Sequence, residues 1–321
     1  MERSWNRRRP FIELGLAEVQ ERVRLASPGA KVQAIEPLTA GLRNTNYRVR
    51  LDGRAESVVL RLYTGDPAAC QREAALYALL QGRGIPMPVV LYAEPNAEPP
   101  FAITSWIDGV GFDTLLRAAD DAAIGAAAHA TGVALARIHA VPYARPGWLG
   151  PTLEVVAPFG GGGGWANDIV GLLDGHAGPQ LGARLAERLR SFARQHAHQI
   201  DVLNGPACLV HADYKPWNLL VRGEGQACTL AGVVDWEGAL AGPPLMDFGI
   251  FLRREADWPP VYAEGFVAGY LAAGGQLPPN WRELAKLLDL LNVCSMLMVP
   301  SGEAAARDLR GVVQTTLDAY S

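Results

Sequence analysis

The sequence is poor in cysteine, nearly balanced in charge and without a long apolar run. Its cysteines, Cys70, Cys208, Cys228 and Cys294, lie far apart, with no CxxC pair and no metal-ligand spacing. That excludes a disulfide scaffold or a zinc module, and free thiols in a reducing compartment are expected. A formal net charge of −4 offers no basic field to DNA or RNA, so nucleic acid is not an expected partner. No stretch approaches the roughly 18 consecutive apolar residues of a membrane span, so no membrane insertion is expected. The basic start "MERSWNRRRP" is followed by "FIELGLAEVQERV", which carries charges where a signal peptide has its apolar core. An arm, then a helix, and a cytoplasmic location are the expectation. No Walker A phosphate loop and no internal repeat occur.

What is present is a chain of 321 residues, 49% hydrophobic and 19% charged, the composition of a folded protein with more than one small core. Alternation predicts strands over 31–41, 44–51 and 57–63, with a hairpin at Asp52-Gly53. Asp66-Pro67 reads as the N-cap and first position of a helix reaching about Gln81. "MPVVLYAEP" and "PPFAITSWIDG" add two strands. From about residue 111 the period becomes helical, with amphipathic helices over 120–141 and 181–200. Between them the run Gly160–Gly164 serves either as a flexible connector or as a lid beside a substrate. After strands around 211–234, helices are expected over 244–254, 259–273, 279–299 and 303–320. The expected fold class is α+β and bilobal. A small β-rich N-terminal lobe with its helix occupies 1–106, and a larger, mainly helical C-terminal lobe occupies 107–321.

The chemistry concentrates in "HADYKPWN", residues 211–218, a polar turn between two apolar stretches. Its spacing lets the Asp213 carboxylate and the Asn218 amide oxygen face one point. "LAGVVDWEG" places Asp235 at the end of the next buried strand. Asn218 and Asp235 then offer two oxygen donors to a hard divalent cation, which would bring phosphates with it. Asp213 is left to orient an attacking hydroxyl and accept its proton, an arrangement suited to phosphoryl transfer. Singly, Asp235 could equally cap a turn and Asn218 serve as a turn amide.

From about residue 30 to the C-terminus the chain resembles the aminoglycoside phosphotransferase/choline kinase family, the small-molecule branch of the protein-kinase-like fold. "VHADYKPWNLLV" is similar to that family's catalytic loop, and "VVDWEGALAGPPLMDFG" to its metal loop. The resemblance implies Asp213 as catalytic base, Asn218 and Asp235 as Mg2+ ligands, His211 as a prop of the loop, and Asp247 as its support from below. For Lys215 two readings stand, contact with the transferred phosphate or a solvated lysine. It further implies ATP held by Arg61 on the third strand, paired with Glu73 on the following helix. Arg replaces the lysine of protein kinases, and its fixed charge and bidentate geometry keep phosphate binding feasible. "LTAGLRNTNYRV" stands where a phosphate loop would be, with Gly41, Asn44 and Thr45 over the phosphates. Ser105 and Trp106 stand at the adenine hinge.

Only a short stretch separates Asp235 from Asp247 and no A-P-E follows it, so a small-molecule hydroxyl acceptor is expected rather than a protein. Glu237, Glu255 and Asp257, with Glu264, Trp236 and Trp258 beside them, suggest a cationic acceptor such as an aminoglycoside or an amino alcohol. The expected protein is a monomeric or homodimeric ATP- and Mg2+-dependent kinase. The alternatives are a nucleotide-binding pseudokinase and a kinase of a neutral or zwitterionic metabolite such as homoserine or a sugar.

Overall fold

The computed structural model describes residues 9–39, 43–118, 120–158, 164–201, 207–297 and 302–320. The basic start, Gly41 and Gly160–Gly163 lie outside them.

Helix α1 (Leu16–Ala26) precedes strands β1 (Val32–Leu38), β2 (Thr45–Leu51) and β3 (Ser57–Leu62). Helix α2 (Ala69–Leu80) follows, then β4 (Val90–Glu94) and β5 (Phe101–Ser105). The five strands form one antiparallel sheet in the order β1-β2-β3-β5-β4. Alternate side chains of a strand face opposite ways. One face of the sheet therefore gathers Tyr47, Val49, Leu51, Leu60 and Phe101 against Val19 and Val23 of α1. The segment before α1 is tied to β2: the Ile12 amide donates to Thr45 Oγ1 (3.0 Å) and the Leu14 amide to the Tyr47 hydroxyl (3.0 Å). Helix α2 starts two residues later than Asp66-Pro67 suggests. Asp66 instead organises the turn ahead of it, accepting the Ala68 amide at 2.9 Å through its side chain and the Ala69 amide at 3.0 Å through its carbonyl.

Beyond β5 the chain crosses to a second sheet, where Val110–Gly111 and Thr229–Val233 flank Leu219–Arg222. Helices α3 (Phe112–Ala118) and α4 (Asp121–His139) open the helical part, α4 capped by Asp120 Oδ1 accepting the Ala123 amide at 3.1 Å. Helix Pro260–Ala272 lies directly on α4. Small residues permit this: a Cβ at Gly132 would fall 2.0 Å from the Phe266 carbonyl oxygen, and one at Gly269 2.0 Å from that of His129. Helices Leu245–Phe251, Trp281–Leu297 and Glu303–Tyr320 complete this part, close to the expected positions. The result is the expected small β-rich lobe and larger, mainly helical lobe. All four cysteines are free and buried. No helix of the described residues is long and apolar enough to cross a membrane.

Candidate active site

The loop of residues 211–218 is pinned from beneath before any of its side chains reaches the cleft. Strand Ala207–Val210 is buried at every position. The loop leaves it through Ala212, whose φ of +59° an L residue adopts at a cost of about 1–3 kcal/mol. Asp247, fully buried on helix Leu245–Phe251, accepts the His211 amide through Oδ2 and the Ala212 amide through Oδ1, both at 2.8 Å. His139 from α4 reaches the same Oδ2 at 3.1 Å. His211 Nε2 lies 3.1 Å from the Val234 carbonyl, and its Nδ1 is 3.3 Å from the Asp213 amide. One neutral tautomer, with the proton on Nε2, satisfies both contacts. Tyr214 is buried and donates to the Thr131 carbonyl of α4 at 2.9 Å. With both its neighbours anchored, Asp213 can project only into the cleft.

Asp213 is held at both oxygens. Lys215 Nζ contacts Oδ1 at 2.7 Å, and Asn218 Nδ2 donates to Oδ2 at 2.8 Å and to the Asp213 carbonyl at 2.9 Å. The Lys215 ammonium also sits 4.9 Å from the centre of the Trp217 ring. Because the Asn218 nitrogen is turned to Asp213, its amide oxygen is the atom left for another ligand. The Val234 amide donates to the Asn218 carbonyl at 3.0 Å, which ties the two loops together.

Asp235 follows strand Thr229–Val233 in the left-handed conformation, φ +67°. Trp236 is fully buried against His211, ring centroids 4.6 Å apart, so it packs in the core and cannot face an acceptor. Arg61 Nη2 reaches Asp235 at 2.8 Å and Glu237 at 3.3 Å, while its Nε lies 3.2 Å from Glu73. Burial works against the Arg61 charge, but Glu73, Asp235 and Glu237 keep the guanidinium protonated. Burial opposes ionisation of Asp235 too, yet Arg61, Lys215 and His211 hold its carboxyl below the usual carboxylate range. Burial and the Asp235 charge push Glu237 the other way, up to about 7, against the pull of Arg61 and Arg43. Among the described residues no group of three or more His, Cys, Asp or Glu side chains is placed to hold a metal unaided. One carboxylate and one amide oxygen, both hard donors, do fit Mg2+ when phosphate oxygens complete the shell.

The nucleotide-side expectations divide. Asn44 reaches the cleft, its Nδ2 2.5 Å from Glu237 Oε2 and its Oδ1 accepting the Thr64 amide at 3.3 Å. Thr45 does not, being fully buried with its hydroxyl taken by Ile12. The Ser105 and Trp106 amides donate within the sheet, to Val89 (2.8 Å) and Ser57 (3.2 Å), and so are not donors for adenine. Any hinge contact from this pair falls to other backbone groups. The Arg43 side chain, in the loop expected to offer its backbone N–H groups, lies 3.5 Å from Glu237 Oε1. Its neighbour Asn44 was the only signal for it.

A cavity of about 240 Å³ opens beside Lys215 and Trp217 and is walled by Asp113, Arg254, Asp257 and Trp258. Asp257 is thus brought to the site. Glu255 is turned away, bonded to Arg282 and to Lys286 (3.2 Å) of helix Trp281–Leu297, and Glu264 is exposed on its own helix. Glu237 stands across the cleft among the nucleotide-side arginines. Arg254 bonds to Asp308 and lies 3.4 Å from Asp257. A larger groove of about 590 Å³ is lined by helix Ala183–Asp201 alone and contains none of these groups.

A β-rich lobe over a helical one, with an Asp-Lys-Asn loop facing a strand-terminal Asp, defines a protein-kinase-like phosphotransferase. The chain matches the phosphotransferase enzyme family (APH) over residues 34–287, and it belongs to that family as a small-molecule kinase. Comparison with curated proteins gives no match. Among solved structures, aminoglycoside phosphotransferase APH(4)-Ia superposes with a TM-score of 0.70 at 15% identity, over 96% of this chain and 100% of the other. A putative fructosamine-3-kinase from Thermobifida fusca YX-ER1 gives 0.65 at 19% identity, over 95% and 100%. APH(2")-IIa, in a ternary complex with streptomycin and ATP, gives 0.63 at 16% identity, over 97% and 99%.

Proposed function

We propose that the chain transfers the γ-phosphoryl group of ATP to a hydroxyl of a small acceptor bound beside Lys215 and Trp217. The observation that carries this reading is the position of Asp213. It touches the cavity-lining Lys215 on one oxygen and Asn218 on the other. The nucleotide would lie between a lobe ending near Trp106 and the helical remainder. The acceptor oxygen forms the new bond to phosphorus as the bond to the ADP oxygen breaks, and the hydroxyl proton passes to Asp213. Asn218 Oδ1 and Asp235 would hold Mg2+, which would supply charge neutralisation on the phosphates. The Asn218 bond to Asp213 would leave that amide oxygen to the cation. Lys215 holds the base in place and lies where the phosphoryl group would cross. Solved members of this fold carrying ADP or ATP support the nucleotide part of the reading.

Replacing Asn218 or Asp235 by alanine is expected to raise the Mg2+ concentration needed for half-maximal nucleotide binding. Titrations that overlay the parent's would remove both residues from the ligand set.

For the acceptor, the walls are informative. Of the acids that suggested a cationic compound, Glu237 and Glu255 are committed elsewhere, and Asp257 lies against Arg254. A cavity of about 240 Å³ is also below the roughly 300–1,000 Å³ usual for drug-sized ligands. We therefore favour a compact hydroxyl compound that carries an amine for Asp257 and an anionic group for Arg254. An ADP-release screen tests this, comparing hydroxy amino acids, amino alcohols, neutral sugars and multi-ring aminoglycosides. Hydroxy amino acids should give the highest kcat/KM, with a KM nearly independent of salt because both charges are met. A multi-ring polycation as best substrate, with KM rising steeply with salt, would restore the cationic reading.

A further inference from the structure

We propose that the Trp217 indole is the specificity-determining wall of the acceptor cavity, admitting compact hydroxyl compounds and shutting out multi-ring ones. The proposal rests on the assignment of that cavity to the acceptor and names the residue that sets its size limit.

Four large aromatic side chains line the cavity: Trp217, Phe251, Trp258 and Tyr262. Three of them belong to the core of the helical lobe. Phe251 and Tyr262 are buried, with their rings stacked 4.6 Å apart, and the Tyr262 hydroxyl donates to the Phe251 carbonyl at 2.7 Å. Trp258 is partly buried and packs on the same apolar cluster. These three hold the fold as well as the wall. Trp217 is different. It is half-buried, and among the described residues it belongs to none of the apolar clusters. Its ring lies 4.9 Å from the Lys215 ammonium, the group that holds Asp213. An aromatic side chain buries about 150–250 Å² when it packs in a core. An indole kept out of the core beside the base therefore acts on what enters the cavity.

The wall is also rigid. Trp217 is the middle residue of a one-turn 3₁₀ helix, Pro216–Asn218. The Asn218 amide donates to the Lys215 carbonyl at 2.9 Å, and the Asn218 side chain is bonded to Asp213. The turn also packs against Gly111, where an added Cβ would stand 3.8 Å from Trp217 Cα. The bonds that orient the base thus fix the backbone from which the ring projects, so the turn cannot withdraw without disturbing Asp213. A compound whose hydroxyl reaches Asp213 has the buried Phe251 and Tyr262 on one side and the indole on another. Further rings on that compound have to overlap the indole, and a fixed side chain accommodates overlap poorly.

The test compares homoserine, glucosamine and streptomycin, in order of size, as acceptors for the parent, Trp217→Phe and Trp217→Ala. In Trp217→Ala the kcat/KM of glucosamine relative to homoserine should rise at least about tenfold, the equivalent of about 1.4 kcal/mol. Streptomycin should move in the same direction, and Trp217→Phe should stay near the parent. Thermal melting and an ADP dissociation constant close to the parent's show that the loop and the nucleotide side are undisturbed. Should Trp217→Ala not fold, Trp217→Leu is read in its place. An unchanged ratio overturns the proposal. So does an equal loss for all three compounds, which would make Trp217 a platform the acceptor rests on. Failure of the kinase reading looks different, since no compound is then phosphorylated by any of the proteins. Equilibrium binding of the same compounds to the ADP complex then decides: Trp217→Ala gains the larger two if the indole is the wall, and no gain overturns it.

Discussion

Asp213→Ala should lower kcat by at least two orders of magnitude while leaving nucleotide affinity nearly unchanged. Acid–base and positioning contributions of a single side chain are typically about 10²–10⁴ in rate. Here the carboxylate is oriented at both oxygens, by Lys215 at 2.7 Å and Asn218 at 2.8 Å, so its loss removes acceptor and geometry together. Asp213→Asn separates the two. It keeps the shape and an oxygen for one donor but cannot take a proton, and its kcat should fall nearly as far. Steady-state rates at saturating acceptor, beside the dissociation constant for ADP, make the comparison. Turnover within a few-fold of the parent in either variant would remove Asp213 from the chemistry.

The second large effect is on the loop's foundation. Asp247→Ala should destabilise the fold by about 3–5 kcal/mol, the range for removing one partner of a buried charged network. The residue has no exposure, and it satisfies two backbone amides at 2.8 Å as well as His139 at 3.1 Å. Without it, the His211 and Ala212 amides lose their acceptor at a turn where Ala212 holds a left-handed backbone. A lower urea midpoint should be accompanied by a drop in kcat larger than the drop in nucleotide affinity, because the loop carries Asp213 and not Arg61, the residue expected to meet the phosphates. Asp247→Asn retains one acceptor oxygen and should recover part of both. A urea midpoint equal to the parent's in Asp247→Ala would mean that the loop stands without this support.

The sequence was legible where the determining contacts are local. Two-residue alternation marks β2 and β3, and the spacing from Asp213 to Asn218 places both in one turn because the turn is closed by its own bonds. Arg61 and Glu73 were also readable, since a strand and the helix after it must pack together. Side-chain direction at the end of a strand was less so. Asn44 and Thr45 are adjacent and point opposite ways, so only one could enter the cleft, and nothing in the sequence shows the Ile12 amide waiting for the other. Trp236 and Glu237 divide in the same manner, one into the core and one into the cleft. The acceptor wall was hidden for a different reason. Arg254 meets Asp308 from the C-terminal helix, 54 residues away, and Glu255 meets Arg282, so the charges of this region cancel by pairings no local pattern encodes. Strand pairing to the end of β5 uses the Ser105 and Trp106 amides, which leaves other backbone groups for the hinge expected there.

Phosphoryl transfer to a small hydroxyl compound can be followed through the phosphoryl group itself. ATP labelled with ¹⁸O in its terminal phosphate is incubated with the protein, Mg2+ and the best compound from the acceptor screen, and the products are weighed by mass spectrometry. Transfer to the acceptor should place one labelled phosphoryl group on that compound, formed in step with ADP and absent with Asp213→Ala. Label found only in inorganic phosphate, or ATP left intact with every acceptor although it binds, would contradict it.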